Sequence, residues 1–201
     1  MATVSSPYGL KPFALIGSQW NNTSAIREYA MTANSATGIF NGDLVQISGG
    51  QPTAITATPT TASAGVVGIC VGVRYVDPTM KYFLNAQFLP ANAITNGYTQ
   101  VFVKVYEDPD ALFLVQATAA VTLASIGKNA QLSNFSAGNT TTGNSAVQLL
   151  QSSLATTATF AVRVIDLYQG PSGFSSPGDA FTDCIVKFNF GVHSYYNSTG
   201  A

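Results

Sequence analysis

Gln100-Val-Phe-Val-Lys-Val-Tyr-Glu107, then Asp108-Pro-Asp110, then Ala111-Leu-Phe-Leu-Val-Gln116 is the stretch whose reading decides the fold class. In an extended chain Val101, Val103 and Val105 fall on one face, and Phe102, Lys104 and Tyr106 on the other. Side chains alternate across a strand, so a period of two marks half-buried β-structure and not helix. The intervening Asp-Pro-Asp is turn chemistry, because Asp accepts nearby backbone N–H groups and Pro presets φ. The spacing predicts two strands joined as a hairpin.

The same signals recur on both sides. Ala25 to Met31, Asp43 to Ser48, Gly65 to Val76 and Phe160 to Leu167 read as strands, and Asn41-Gly42 marks a tight turn into the second of them. Near the C-terminus Cys184, Val186, Phe188, Phe190 and Val192 alternate with Ile185, Lys187, Asn189, Gly191 and His193, which predicts one more half-buried strand. Ala119 to Ile126 is rich in helix formers and is followed by Gly127, a natural helix-terminating residue. Residues 53–64, 133–145 and 169–178 are polar or Pro/Gly-rich loops. Many short strands with frequent turns predict an all-β fold, a β-barrel or a jelly-roll-like sandwich, with one short helix. Residues 1–20 read as an extended N-terminal arm and 21–201 as a single β-rich domain. Pro7 and Pro12 interrupt regular hydrogen bonding in the arm, yet it carries Tyr8, Leu10, Phe13, Leu15, Ile16 and Trp20. So many large apolar groups need a surface to cover, either the chain's own core or a partner subunit.

Composition narrows the function. Only 8% of the 201 residues are charged, against about 25% in a typical soluble domain. Thr, Ser, Asn, Gln, Gly and Ala take their place, giving a polar but neutral surface that lacks the charge repulsion keeping monomers apart. This suits a protein packed against neighbours. The formal net charge is −1, with no basic stripe for nucleic acid and no polybasic tract for a membrane surface. The first ten residues lack the charged and apolar regions of a signal peptide. No apolar run approaches the roughly 18 residues of a membrane span.

Chemistry-bearing residues are scarce. His193 is the single histidine, and nothing near it in sequence supplies a nucleophile and an orienting carboxylate. One His and two distant Cys make no zinc spacing. Glu107, Asp108 and Asp110 form an acidic cluster that reads as a solvated turn, since the alternating ligands of a calcium loop are missing. No Gly-rich phosphate loop opens a helix. Cys70 and Cys184 sit in apolar runs and are expected to be buried reduced thiols, a disulfide being the alternative. The reading is therefore not an enzyme, with no catalytic, cofactor-binding or metal-ligating residue assigned. Tyr8, Trp20, Tyr98, Tyr195 and Tyr196 are candidates for stacking on sugars or a partner; the adjacent Tyr195 and Tyr196 lie just past the last strand and are not expected to have both rings on one face.

Ser6-Pro-Tyr-Gly-Leu-Lys-Pro12, Thr37-Gly-Ile-Phe-Asn-Gly-Asp-Leu-Val45 and Val105-Tyr-Glu-Asp-Pro-Asp-Ala-Leu-Phe-Leu-Val-Gln116 resemble segments of tailed-bacteriophage capsid decoration, or cement, proteins. Ser125-Ile-Gly-Lys-Asn-Ala-Gln-Leu132 is similar to the short helix and turn after that hairpin, and Asn139-Thr-Thr-Thr-Gly-Asn-Ser145 to the polar loop that follows. The resemblance spans most of residues 6–150. It implies a β-rich, often trimeric protein on the outer surface of an icosahedral virion, where it bridges subunits of the major capsid protein. Its partners would be the major capsid protein and its own copies, with neither nucleic acid nor membrane. The arm then becomes the expected capsid or subunit interface, through Pro7, Tyr8, Leu10, Phe13 and Trp20. The alternatives are another virion component (fibre, tail or neck) and a carbohydrate-binding β-sandwich.

Overall fold

The computed structural model describes residues 4–16, 25–61, 65–135, 137–170 and 175–197. Its strands in chain order are β1 (Lys11–Leu15), β2 (Ile26–Met31), β3 (Ile39–Phe40), β4 (Leu44–Ser48), β5 (Gln51–Ala54), β6 (Val66–Val76), β7 (Phe83–Ala86), β8 (Phe88–Leu89), β9 (Thr99–Tyr106), β10 (Ala111–Gln116), β11 (Asn129–Ser133), β12 (Gln148–Ala155), β13 (Val162–Leu167) and β14 (Asp183–Phe188). Two antiparallel sheets pack as a sandwich. Sheet I runs β1-β10-β14-β13-β11-β12 and sheet II runs β2-β9-β6-β4-β5, with β7 on the second half of β6. The short pair β3-β8 stands apart. A bridge between Ala117 and Leu149 ties β12 to the chain just after β10, but the sheet does not close into a barrel.

The decisive stretch forms both expected strands but no hairpin. β9 pairs with β2 and β6 in sheet II, whereas β10 pairs with β1 and β14 in sheet I. The Asp-Pro-Asp turn is an arch that carries the chain from one sheet to the other. Tyr106, at the end of β9, meets Phe113 of β10 edge-on at 6.3 Å across the core. Strand β1 pairs with β10 and β2 with β9, so the N-terminal part of the chain makes the same change of sheet. The hydrogen bonds Ile16 N to Asp110 O and Glu107 N to Ala25 O, 3.0 and 2.9 Å, join the two crossings.

Two apolar cores follow from this arrangement. Leu10, Leu44, Ile69, Tyr106, Phe113, Val115, Leu149, Val164, Val186 and Phe188 fill the space between the sheets. Val45, Val67, Cys70, Val73, Val101, Val103 and Val105 lie on the opposite face of sheet II, under Ile39 and Leu89. Sheet II is thus covered on both faces, which is why β6 reads Val-Val-Gly-Ile-Cys-Val with no polar alternation. Each such side chain taken fully out of water contributes about 1.5–3 kcal/mol. Cys70 and Cys184 are both buried and free, in different cores.

Two sequence expectations change. The helix expected over Ala119–Ile126 reduces to one 3-10 turn at Leu123–Ser125. Val121 O accepts from Gly178 N at 2.7 Å and is not the i−4 partner of Ser125 N, which bonds Thr122 O at 2.9 Å in the tighter 3-10 pattern. The last strand ends at Phe188, not near residue 193. The Asn189 side chain donates to Phe160 O at 2.8 Å, Val192 N donates to Asn189 O at 3.1 Å to close a turn, and Gly191 adopts φ +90. Phe190 is therefore 80% exposed instead of sharing the face of Phe188.

Candidate interaction surface

The N-terminal segment is bound to the chain's own body. Leu10 is completely buried in the inter-sheet core, and its backbone N–H donates to Gly42 O at 3.0 Å. Gly9 and Gly42 lie backbone against backbone: a Cβ on Gly9 would sit 2.7 Å from Gly42 O. Ser6 N donates to Gln116 Oε1 at 2.9 Å, and the Tyr8 hydroxyl donates to Asp183 Oδ1 at 2.8 Å. Burial, and then the Asp183 charge, push the Tyr8 phenol far up, so it stays protonated and serves as a donor. Pro7 is half-buried beside it. Trp20 lies outside the described residues.

Of the five residues expected at an interface, Phe13 faces outward on a defined surface. β1 is the edge strand of sheet I. Phe13 meets Tyr168 edge-on at 6.0 Å, and together with Leu112, Ile165 and Ile185 they line a shallow groove of about 490 Å³ on the outer face of that sheet. Alternation creates this surface: Phe113, Val186 and Val164 point into the core, so their strand neighbours Leu112, Ile185 and Ile165 point away from it. Sequence reasoning singled out Phe13 but not these partners, because they converge from three separate strands.

A polar junction lies beneath the segment. Lys11 Nζ donates to Asn41 Oδ1 at 2.6 Å and to Asn144 Oδ1 at 3.0 Å. The buried Asp43 carboxylate accepts from Phe40 N at 2.8 Å and from Ser145 Oγ at 2.5 Å. Burial raises the Asp43 carboxyl to about 6, against the hydrogen bonds and Lys11, which favour its charged form. Burial lowers the Lys11 amine to about 8. A carboxyl whose folded pKa is raised contributes stability that is complete below its unfolded value of 3.8 and is lost as pH rises through about 6. Urea unfolding should therefore show Asp43 favouring the fold at pH 5 over pH 7. Asp43→Asn keeps an acceptor for Phe40 N and a donor for Ser145, and should remove that part of the pH dependence. Equal slopes for the two proteins between pH 4 and 7 would refute the assignment.

The acidic turn is fully engaged. Glu107 pairs with Arg27 at 3.0 Å and accepts from the Tyr29 and Tyr195 hydroxyls at 2.6 and 3.2 Å. Asp110 pairs with Lys187 and accepts from the Tyr196 hydroxyl, both at 3.0 Å; the Lys187 hydrogen bond leads in holding its carboxyl below the usual range. Asp108 Oδ1 accepts from Asp110 N at 2.8 Å, as its turn role requires. Tyr195 and Tyr196 thus reach the same turn. They occupy a 3-10 turn, Ser194–Tyr196, where successive side chains no longer oppose each other as in a strand. His193 caps that turn by accepting from Tyr195 N, and it is 1% exposed, not on a polar strand face. No group of three or more metal-ligating side chains occurs among the described residues.

Compared with known protein families, curated proteins and solved structures, this chain has no match.

Proposed function

We propose that this protein is a non-enzymatic structural virion component that decorates the outer surface of an icosahedral phage capsid, bridging subunits of the major capsid protein as a homotrimer. The observation that supports this most is the outward apolar groove of sheet I, around Phe13, Ile165 and Ile185, beside an unpaired edge strand. Phe13, Leu112, Ile165 and Tyr168 are half-buried along this groove, and an apolar groove against a sheet edge suits the docking of another protein. The neutral composition adds to it, since few charges need desolvation when such a surface is buried. The likeness of residues 6–150 to decoration proteins supplies the particular partner.

The test is attachment to expanded capsids that lack the protein, read by cosedimentation and particle imaging. The expected result is saturable binding by a trimer at fixed stoichiometry. Attachment should weaken little on raising salt, because screening acts on exposed charges. Phe13→Asp should abolish it while the protein stays folded. Deleting residues 1–20 is the poorer test, because it removes the buried Leu10 and strand β1. A folded monomer that leaves such capsids bare, or attachment that collapses at moderate salt, would count against this reading.

One observation favours the carbohydrate-binding alternative. The exposed Phe190 ring stacks on Tyr196 at 5.7 Å and 20°, next to a hollow of about 410 Å³ lined by Thr61 and Asn197. Stacked rings present one face and not an extended platform. A glycan array without binding would eliminate this alternative.

A further inference from the structure

His193, the single histidine, is held beside the arch between β9 and β10. It is 1% exposed, and the Phe188, Tyr195 and Tyr196 rings lie around it at 6.4, 5.1 and 6.5 Å. Its Nδ1 accepts from Tyr195 N at 3.3 Å, so that nitrogen is unprotonated and the neutral ring carries its proton on Nε2. Nε2 is buried and has no hydrogen-bond partner among the described residues. The backbone here is fixed as well: His193 forms a bridge with Val66 of β6, and its carbonyl accepts from Tyr196 N at 2.9 Å. Val192, next to it, is fully buried in the inter-sheet core. From this anchor the Ser194–Tyr196 turn reaches the arch, where the Tyr195 hydroxyl donates to Glu107 and the Tyr196 hydroxyl to Asp110.

A second proton on the ring has no place in this arrangement. It would sit on Nδ1 and point at the Tyr195 N–H, so two donors would face each other and a buried charge would lack an acceptor. The acids of the arch are already engaged. Glu107 holds Arg27, Tyr29 and Tyr195, Asp108 holds the Asp110 N–H, and Asp110 holds Lys187 and Tyr196. Against the ring, β6 presents Val66 and Val67 and β14 presents Phe188 and Lys187, none of them a counter-ion for a cation. Burial lowers the His193 pKa, working against the Val67 and Glu107 backbones and the Glu107 and Asp108 charges, which favour the cation.

We propose that the Ser194–Tyr196 turn is an acid-released latch: when His193 takes up a proton, the cap on Tyr195 N is lost, the imidazolium swings out to water, and the turn leaves the arch while Val192 and both sheets stay in place. Release frees Tyr195 and Tyr196 and uncovers the crossing between the sheets. The device is independent of the capsid reading. A base whose folded pKa is lowered keeps the turn docked above its free value of 6.5, and docking weakens as pH falls from there to the folded pKa. One proton per opening raises the open fraction about tenfold for each pH unit in that window. The sign is opposite to that of Asp43, whose raised pKa favours the fold at lower pH, so global unfolding blends the two effects and a local readout is needed.

The test is NMR with residue-level hydrogen exchange on the full-length protein from pH 7.5 to 5, corrected for the intrinsic pH dependence of exchange. With one histidine in the chain, the ring Cε1–H signal has a single assignment. Protection of the Tyr195 and Tyr196 amides should fall about tenfold per pH unit below 6.5, in step with the His193 titration, while β9 and β14 stay protected. His193→Asn keeps a side-chain acceptor for the cap and cannot titrate, so its turn should stay protected throughout. If that variant does not fold, Glu107→Gln replaces it: the carboxylate under Tyr195 is gone, and the pH response should persist. A His193 ring that titrates while Tyr195 and Tyr196 remain protected overturns the proposal. So does a ring that titrates only as both sheets unfold. An unchanged loss of protection in His193→Asn, or its disappearance in Glu107→Gln, would move the switch to the carboxylates and overturn it too.

Discussion

Phe113→Ala should lower the stability of this protein by about 3–5 kcal/mol, the range for emptying an aromatic site in a packed core. Phe113 is 1% exposed and among the largest fully buried side chains. Its ring meets Phe188 at 5.1 Å and Tyr106 at 6.3 Å, so it joins β10, β14 and β9 across the two sheets. The surrounding strands are hydrogen-bonded on both sides and cannot collapse into the space. In a chain of this size the loss corresponds to a fall in Tm of roughly 6–20 °C. The contrasting variant is Phe190→Ala. Sequence alternation put Phe190 beside Phe188 in the core, but it is 80% exposed, and its removal should change stability by no more than about 0.5 kcal/mol. Urea denaturation of the two variants settles the matter: similar losses, or a larger loss for Phe190, would be incompatible with the strand ending at Phe188.

Gly68→Ala should be as damaging, through overpacking and not through a cavity. Gly68 lies in the central strand β6, opposite Val45 on β4. A Cβ there would be 2.0 Å from Tyr106 O, 2.8 Å from Tyr106 C and 2.9 Å from Glu107 Cα. All three are backbone atoms, so no side chain can rotate away. Relief requires moving the end of β9 where it enters the arch to β10, which would disturb both sheets together. Overpacking commonly costs about 1–3 kcal/mol, and a backbone clash this close should reach or exceed the upper end. The variant is expected to be poorly soluble, or to melt well below the parent when followed by circular dichroism. Gly49 provides the control: a Cβ there has nothing within 4 Å, and its φ of +56 is one that Asn tolerates. Gly49→Asn should fold normally. A Gly68→Ala protein that melts with the parent would mean that β6 and the end of β9 are not packed as described.

The functional proposal and the two core variants bear on different levels. The core variants test where the strands are, and Phe13→Asp tests what the outer face of sheet I does. Phe13 lies outside the inter-sheet core, so a charge there is solvated in the free protein and is buried only when a partner covers the groove. This separates loss of attachment from loss of folding, which truncation of the N-terminal segment cannot do.

The sequence by itself determined the β class, the place of most longer strands and the turns between them. These are local properties: alternation in Val101 to Tyr106, glycines and prolines at the breaks, and Asp108 folding its own turn. It also marked the N-terminal segment as apolar enough to need a surface. Only the tertiary structure decided that the surface is the chain's own, because Leu10 and Lys11 meet partners from residues 41–44 and 144 that no short-range pattern connects to them. Several strands escaped notice for a related reason. β12 reads Gln-Leu-Leu-Gln-Ser-Ser-Leu-Ala, without β-branched residues or clean alternation, and it is a strand because β11 and Leu132 lie beside it. The stretch 100–116 shows the division most clearly. Its alternation specifies two strands, but a period of two is the same whether neighbouring strands pair edge to edge or stack face to face. Tyr106 and Phe113 meeting inside the core, and the partners β2, β6, β1 and β14 waiting on either side, made the turn an arch between sheets. That choice belongs to long-range packing, which minimises exposed apolar area over the whole chain and leaves no signature in seventeen consecutive residues.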